Sequence, residues 1–417
     1  MIAEALEFAR LLHRKTWPRE RIEELRRAKL SRLIAHAYDT VPYYQRLMDR
    51  HGVKPADIRE PGDLHKLPIS TKADLRRAGQ DCLSTTMNAS TVLHTSGHSG
   101  VPFEVRMTSA EYRTRRLREF RMLMGIGVRP RDRLTLLGPI RTRPKRLHRQ
   151  LGFYRMDVIP LLLPPEEQLR RFRLSHPDVL WAYPCALQTV LHYGNCGLRE
   201  LAQPRFLINS SGVMTPLFRQ QLMTEMPELE IVNIYGSAEA GRMAAECRRR
   251  RGLHVEDDAV ILELLDEGRP VDEGREGTVV ITCLDQFAMP LIRYEQGDIC
   301  RTLPEPCNCG WQTPVLDLPA GRCSDMLTLP NGIRVSPDRI EVSLRHETEL
   351  LQYRFVQERL DYIQAQLCFR TPQPANKLVE LKSRMEEAVG GNITVDLEIV
   401  AEPQFESIKF RVFVSKL

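Results

Sequence analysis

Three short segments carry residue types that together could handle a nucleotide. The first is His94-Thr95-Ser96-Gly97-His98-Ser99-Gly100-Val101-Pro102, which alternates hydroxyls and glycines after a strand-like Thr91–His94 run. Glycine allows close backbone approach and positive φ, so successive N–H groups can converge on an anion, and Ser and Thr add donors. That suits the β- and γ-phosphates of a nucleotide, although a polar surface turn has the same composition. No Lys-Ser/Thr pair follows the glycine, so the segment is not a Walker A loop. The second is Asn233-Ile234-Tyr235-Gly236-Ser237-Ala238-Glu239. Here a strand delivers an aromatic that could stack on a base and a carboxylate that could ligate phosphate-bound Mg²⁺. An exposed turn at a strand end is the plainer reading. The third runs from Met289 through Arg293-Tyr294-Glu295-Gln296-Gly297 to Asp298. Asp298 after a glycine turn could accept both hydroxyls of a ribose, or could only stabilise the turn.

A fourth constellation has metal-ligand character. Cys247 and His254 flank the basic loop Arg248–Arg251, and Cys307-Asn308-Cys309-Gly310 puts two thiols on a tight turn. Three Cys and one His are the donor set of a closed, structural Zn²⁺ site with no open position for substrate. Buried free thiols beside a surface His are the alternative, and Cys-x-Cys is tighter than the usual Cys-x₂-Cys.

The elements that must position these residues follow from periodicity. Residues 1–80 read as polar helices with apolar stripes such as Ile22, Leu25, Leu30, Leu33 and Ile34, broken at Thr40–Tyr44 and again at Leu67–Lys72. Ser70 or Thr71 is placed to cap a helix beginning near Ala73. A long Arg-rich helix is expected from about Ala110. Leu134–Leu137, Val158–Leu163, Phe206–Asn209 and Ile231–Tyr235 suit buried strands, with a helix between Pro164 and Arg173. Strands alternating with helices imply mixed α/β layers. Val179–Leu191, with Trp181, Tyr183 and Pro184, reads as a core helix with a bent start or as the wall of an acid pocket. From Val255 to Leu303 the period approaches two, with turn signals at Asp266–Gly268 and Glu273-Gly274, which reads as a β-rich subdomain. Beyond residue 321 a compact α+β pattern returns: helices about Pro337–Leu344 and Asn376–Val389, strands about Tyr353–Gln357, Val395–Ile399 and Phe410–Val414. The fold class is therefore α/β, with a large N-terminal domain over residues 1–320 and a small C-terminal domain over 321–417.

Composition excludes several classes. The 417 residues are 42% hydrophobic and 27% charged, which argues against wholesale disorder, a coiled coil or a collagen-like repeat. The charge-free stretches Cys82–Phe103 and Val179–Leu198 are too polar, or too interrupted, to span a bilayer. The N-terminus carries no secretory signature, so a cytoplasmic location is expected and the ten cysteines are read as thiols or ligands, not disulfides. The net charge is +6, yet Val101–Arg155 alone holds fifteen Lys/Arg against four Asp/Glu. That excess reads as solvated helix faces or as a surface for an anionic partner: a nucleotide-like cofactor, an acidic carrier protein or a nucleic acid. A basic, zinc-containing nucleic-acid-binding protein is the contrasting hypothesis. No RNP-like aromatic strand or helix-turn-helix signature supports it.

In combination, the Ser/Thr/Gly loop, Tyr235-Gly236-Ser237-Ala238-Glu239, Arg293–Asp298 and Gly321-Arg322 resemble the adenylate-forming superfamily. Leu67–Leu75, Pro290–Tyr294 and Gly321–Leu327 resemble in particular its phenylacetate-CoA ligase branch and the related capsule-biosynthesis adenylating proteins. The resemblance covers nearly the whole chain. It implies an ATP-dependent, AMP-forming acid–thiol ligase, acting on an aryl or arylacetic acid with CoA as co-substrate. A carrier protein, an amine or a sugar hydroxyl is the alternative acceptor. By position it implies that Thr95–Gly100 hold the ATP phosphates and that Ser211, Gly212, Tyr235, Gly236 and Ser237 flank adenine and the acyl group. Glu239 would bind Mg²⁺, and Asp298 and Arg322 the ribose region. Lys409 would be the lysine of the adenylation step, carried by a small domain that rotates about a hinge near 320–325. The branch also carries a Cys/His zinc site in this region, and its members often form homodimers. The chain departs from the family pattern at His98, Ala238, Ser324 and Ile408.

Overall fold

The computed structural model describes residues 2–14, 16–95, 103–138, 155–210, 212, 214–305, 307–317, 321–322, 327–332, 334–335, 338–344, 346–347, 349–403 and 411–417. Contacts divide the chain into two compact units: residues 1–128 with 234–319, and residues 129–233 with 320–417.

The first unit begins with helices Ile2–Arg14, Arg19–Thr40 and Pro42–Arg50, where Pro42 opens the last of these as its first residue. Leu30, Leu33, Ile34 and Ala37 form the apolar stripe of the second helix and pack with Tyr44, Met48, Leu64, Ile261 and Ile292. Thr71 is the residue that caps helix Lys72–Ala78: its hydroxyl accepts from Asp74 N at 3.2 Å, and the Asp74 carboxylate accepts from Thr71 N at 2.9 Å. Ser70 is engaged instead in a bridge: its N donates to Arg293 O at 2.8 Å and its O accepts from Glu295 N at 3.0 Å.

Strands Thr91–His94 and Glu104–Met107 form an antiparallel hairpin. The second of these strands is a finding beyond the sequence reading, which sees only the first. The Arg-rich helix is Ser109–Ile126, with a capping box between Thr108 and Glu111 and Gly127 in left-handed conformation at its end. The β-rich region is a sheet ordered Arg269–Pro270, Val260–Asp266, Glu276–Cys283, Tyr294–Arg301. Glu267 and Gly268 both have positive φ, as a two-residue hairpin turn requires.

The second unit holds a parallel sheet in the order Phe206–Ser210, Val179–Ala182, Arg133–Gly138, Arg155–Pro160. Helices Pro165–Ser175, Pro184–Gly194 and Pro216–Glu225 supply Phe172, Leu187 and Phe218 to its core. Val179–Ala182 is thus a strand followed by a helix opening at Pro184, not the start of one bent helix. A strand covered on both faces is apolar at every position, so its alternation is lost. In the C-terminal segment, strands Leu350–Arg359 and Tyr362–Phe369 form a hairpin flanked by the parallel strands Thr394–Ile399 and Phe413–Ser415. Helix Ala375–Ala388 covers this sheet with Leu381 and Met385 over Phe355, Leu367 and Val395. The expected α+β pattern is present, with the last strand about three residues later than its apolar run suggests. No helix among the described residues is long and apolar enough to cross a membrane.

Candidate functional site

Most of the geometry that bears on nucleotide chemistry lies in the first unit. The hairpin 91–107 closes on Thr95 and Phe103: Thr95 N donates to Phe103 O and Phe103 N donates to Thr95 Oγ1, both at 3.0 Å. Those two residues fix the ends of the Ser/Thr/Gly loop. Ser96, Gly97, His98, Ser99 and Gly100 themselves lie outside the described residues.

Glu239 is buried at the turn after strand Glu230–Ser237. Its Oε1 is 3.3 Å from Lys72 Nζ and accepts from the Tyr294 hydroxyl at 3.4 Å. Lys72 Nζ also reaches Thr95 Oγ1 at 3.4 Å and sits over the Phe103 ring at 5.6 Å from its centroid. One ammonium therefore joins the foot of the loop to the carboxylate. The sequence reading assigns Lys72 no role. Its signal is available only as the first residue of a helix capped by Thr71, beside the Ser70 bridge to the Arg293–Tyr294 segment. Arg293 locks that junction: its guanidinium is 3.0 Å from Glu263 Oε1 and donates to Leu67 O at 2.5 Å. Burial raises the Glu263 carboxyl and the Arg293 charge opposes that shift.

Tyr235 is buried in the core, and its hydroxyl donates to Asp298 Oδ2 at 2.7 Å. The phenol thus orients the carboxylate read as the ribose acceptor. Asp298 does not follow an isolated turn. It lies within strand Tyr294–Arg301, where the ladder with Glu276–Cys283 is irregular and Gly297 has φ +76°. The bulge re-aims the Asp298 side chain out of the regular pleat. Gly236 cannot carry a side chain, because a Cβ there would lie 2.3 Å from Gly241 O. The Ser237 hydroxyl accepts from Ala240 N at 3.0 Å and so closes the turn that presents Glu239.

Cys247, His254, Cys307 and Cys309 converge, with all four ligand atoms within 4.8 Å of one another. Cys247 Sγ and Cys307 Sγ are 3.6 Å apart, and Cys309 Sγ lies 3.5 Å from His254 Nε2. A Zn²⁺ tetrahedron with Zn–S of about 2.3 Å and Zn–N of about 2.0 Å has edges of about 3.8 Å and about 3.5 Å, so the donor types suit such an ion and these two separations match its edges. Arg249 N donates to Cys247 Sγ and Trp311 N to Cys309 Sγ. Thr313 Oγ1 is 3.1 Å from His254 Nδ1, leaving Nε2 toward the sulfurs. Without a cation, burial and the neighbouring thiols push the Cys309 thiol up to about 12.

The remaining predicted residues fall in the second unit or outside the description. Gly212 packs on Pro184, where an added Cβ would sit 3.4 Å from the proline ring. Trp181 is fully buried and donates from Nε1 to Ser210 Oγ at 2.6 Å, a strut beneath the strand ends. Tyr183, the residue before the following helix, is half-buried against this core. Ser211, Lys409 and the Arg322 side chain lie outside the described residues; Gly321–Arg322 is a short strand.

No protein-family model matches the chain. Among curated proteins it is 28% identical to a phenylacetate-coenzyme A ligase of Thermus thermophilus, over 95% of this chain and 90% of that ligase. It is 26% identical to the phenylacetate-coenzyme A ligase of Escherichia coli, over 94% and 95% of the two chains. Among solved structures, 2-hydroxyisobutyryl-CoA ligase in its postadenylation state superposes with a TM-score of 0.81 at 20% identity, covering 97% of this chain and 91% of that one. A benzoate CoA ligase from Burkholderia xenovorans gives 0.56 at 17% identity, over 79% and 69%. Loop chemistry, motif order and fold agree: the chain is a homologue of the phenylacetate-CoA ligases, built on the adenylate-forming acyl-CoA ligase fold.

Proposed function

We propose that this protein is an AMP-forming acid–thiol ligase that activates a carboxylic acid, of aryl or arylacetic type, and transfers the acyl group to CoA. The observation that carries the reading is the meeting of Thr95, Lys72 and Glu239 at the foot of the Ser/Thr/Gly loop, with Tyr235-bound Asp298 in the same unit. In the first half-reaction the acid's carboxylate oxygen attacks the α-phosphorus of ATP, and pyrophosphate leaves with the electron pair of the α–β bridge. The mixed anhydride then loses AMP when the CoA thiolate attacks its carbonyl carbon.

Lys72 would neutralise charge on the departing pyrophosphate, and the main-chain N–H groups of the loop would hold its oxygens. Asp298, oriented by Tyr235, would accept the ribose hydroxyls. Glu239 would hold Mg²⁺, which usually takes one or two carboxylates plus substrate phosphates and spreads their negative charge. Lys409 would reach the attacking carboxylate from the C-terminal segment during adenylation and withdraw for thioester formation. Cys247, His254, Cys307 and Cys309 would hold one structural Zn²⁺, fastening the Arg248–Arg251 loop to the 307–313 loop. The chain is further proposed to work as a cytoplasmic homodimer.

Acid-dependent ATP–pyrophosphate exchange over aryl, arylacetic, fatty and amino acids tests the first half-reaction without any acceptor. One acid class should support exchange, and Lys409→Ala should abolish it while leaving thioester formation from supplied acyl-AMP within about threefold. Exchange that survives in Lys409→Ala assigns the wrong lysine. Silence from folded protein that does not bind ATP removes the proposal. Metal analysis should find one zinc per chain, lost in Cys307→Ser together with thermal stability. A fully folded, zinc-free native protein removes the metal assignment.

A further inference from the structure

Helix Ser109–Ile126 carries an arginine that the ligase reading leaves unused. Arg115 is half-buried in the first unit, and its guanidinium donates to three successive carbonyls: Ser237 O at 3.2 Å, Ala238 O at 2.9 Å and Glu239 O at 3.4 Å. Among the described residues it makes no ion pair. Glu119, one turn further along the same helix, is engaged by Arg242 at 3.4 Å. Gly241 leaves the room that the guanidinium occupies: a Cβ there would lie 2.7 Å from Arg115 Nε. Burial and the nearby Arg242 and Arg118 charges push this arginine down to about 10, so it remains a cation at neutral pH.

A half-buried cation bonded to three successive carbonyls, with Met107 Sδ as its other neighbour at 3.9 Å, has a directional consequence. Across a trans peptide the C=O and the next N–H point to opposite sides, and the chain has no cis peptide among its described residues. With the carbonyls of 237–239 turned to Arg115, the N–H groups of Ala238, Glu239 and Ala240 turn away from it. Ala240 N is taken by the Ser237 hydroxyl at 3.0 Å, which leaves the Ala238 and Glu239 donors on the far face of the turn. Carbonyls bonded to a cation polarise their peptide units and strengthen the N–H donors in the same chain of dipoles.

We propose that Arg115 is a positioning residue for the adenylation step: it holds the Ser237–Glu239 turn by its carbonyls, so that the Ala238 and Glu239 N–H groups and the Glu239 side chain face bound ATP. The proposal rests on the reading of Glu239 as part of the ATP site.

The test uses Arg115→Met and Arg115→Lys in the full chain with two readouts: steady-state ATP–pyrophosphate exchange, and amide hydrogen exchange at residues 237–240. Arg115→Met should lower kcat for exchange by about tenfold or more, with KM for the acid within about threefold, and should speed amide exchange at the turn by a similar factor. Arg115→Lys, which keeps the charge but spans fewer carbonyls, should fall between Met and native in both. Folded Arg115→Met that matches the native chain within about twofold in both readouts overturns the proposal. If Arg115→Met does not fold, an Arg115→Lys variant indistinguishable from native overturns it equally. If the native chain itself shows no exchange with any acid, the ATP reading and the catalytic half of this proposal fail together. The holding of the turn is then decided by amide protection alone.

Discussion

Arg115 and Arg121 lie six residues apart on one helix, the first half-buried and the second fully buried, and their surroundings differ in kind. Arg121 is 2% exposed and paired with Glu256 and with Asp258, the latter through Oδ1 at 2.7 Å and Oδ2 at 2.8 Å. Arg115 faces three carbonyl oxygens and no carboxylate among the described residues. Burial lowers both arginines; at Arg121 the two carboxylates outweigh it and raise the pKa, whereas at Arg115 burial wins. The two positions on the helix thus do different work. At Arg121 the charges are matched and the result is a fixed joint. At Arg115 the positive field is left over and is directed at the turn carrying Glu239.

The joint at Arg121 gathers more than one helix. Arg14 reaches Asp258 at 3.2 Å, Lys29 Nζ donates to Asp258 O at 2.6 Å, and Arg19 pairs with Asp257. The acidic run Glu256-Asp257-Asp258 lies two residues beyond His254, so the Cys/His cluster and the N-terminal helices share one short segment. Removing one member of a buried pair leaves the other charge uncompensated, which typically costs about 3–5 kcal/mol. Arg121→Met should therefore lower stability in chemical denaturation by about that amount, while acid-dependent exchange at temperatures where it stays folded keeps a near-native kcat. The outcome expected for Arg115→Met is the reverse: smaller loss of stability, larger loss of turnover. Equal losses in both variants would erase the distinction between joint and field.

The two residues also differ from the Cys/His set in how far their types disclose their roles. In sequence Arg115 and Arg121 are two of fifteen basic residues between Val101 and Arg155, with nothing to separate them from solvated positions. Their roles depend on which loops fold back onto the helix, and those loops arrive from residues 237–239 and 256–258. The Cys/His set is legible because its donors declare their chemistry by type alone, and only their convergence needs the fold. Lys72 is not legible, since a lysine at the start of a helix is ordinarily a surface residue. Strand Glu104–Met107 is hidden by its charged Glu104 and Arg106, which occupy the open face while Val105 and Met107 fill the core. Val179–Ala182 fails for the opposite reason, being buried at all four positions. The order of motifs and the α/β class are readable because the first two motif strands run into loops of small residues, and that alternation survives without tertiary contacts.

The smallest of these effects sharpens the comparison through pH. The Asp258 carboxyl is held well below the usual carboxylate range; burial opposes this, but the Arg121 charge and its hydrogen bonds prevail, with Lys29 and Arg14 adding to them. A carboxyl whose folded pKa is depressed stabilises the protein above its unfolded pKa, about 3.9, and that contribution drains away as pH falls below it toward the folded value. Thermal unfolding should then show the native chain losing Tm below about pH 4 more steeply than Asp258→Asn, which has no such proton to take up. Arg115 has no carboxylate partner among the described residues, so Arg115→Met should leave the acid slope of the native chain unchanged. A parallel acid slope in native protein and Asp258→Asn would mean that the joint at Arg121 is not where the acid sensitivity resides, and that its charges are less closely matched than their distances indicate.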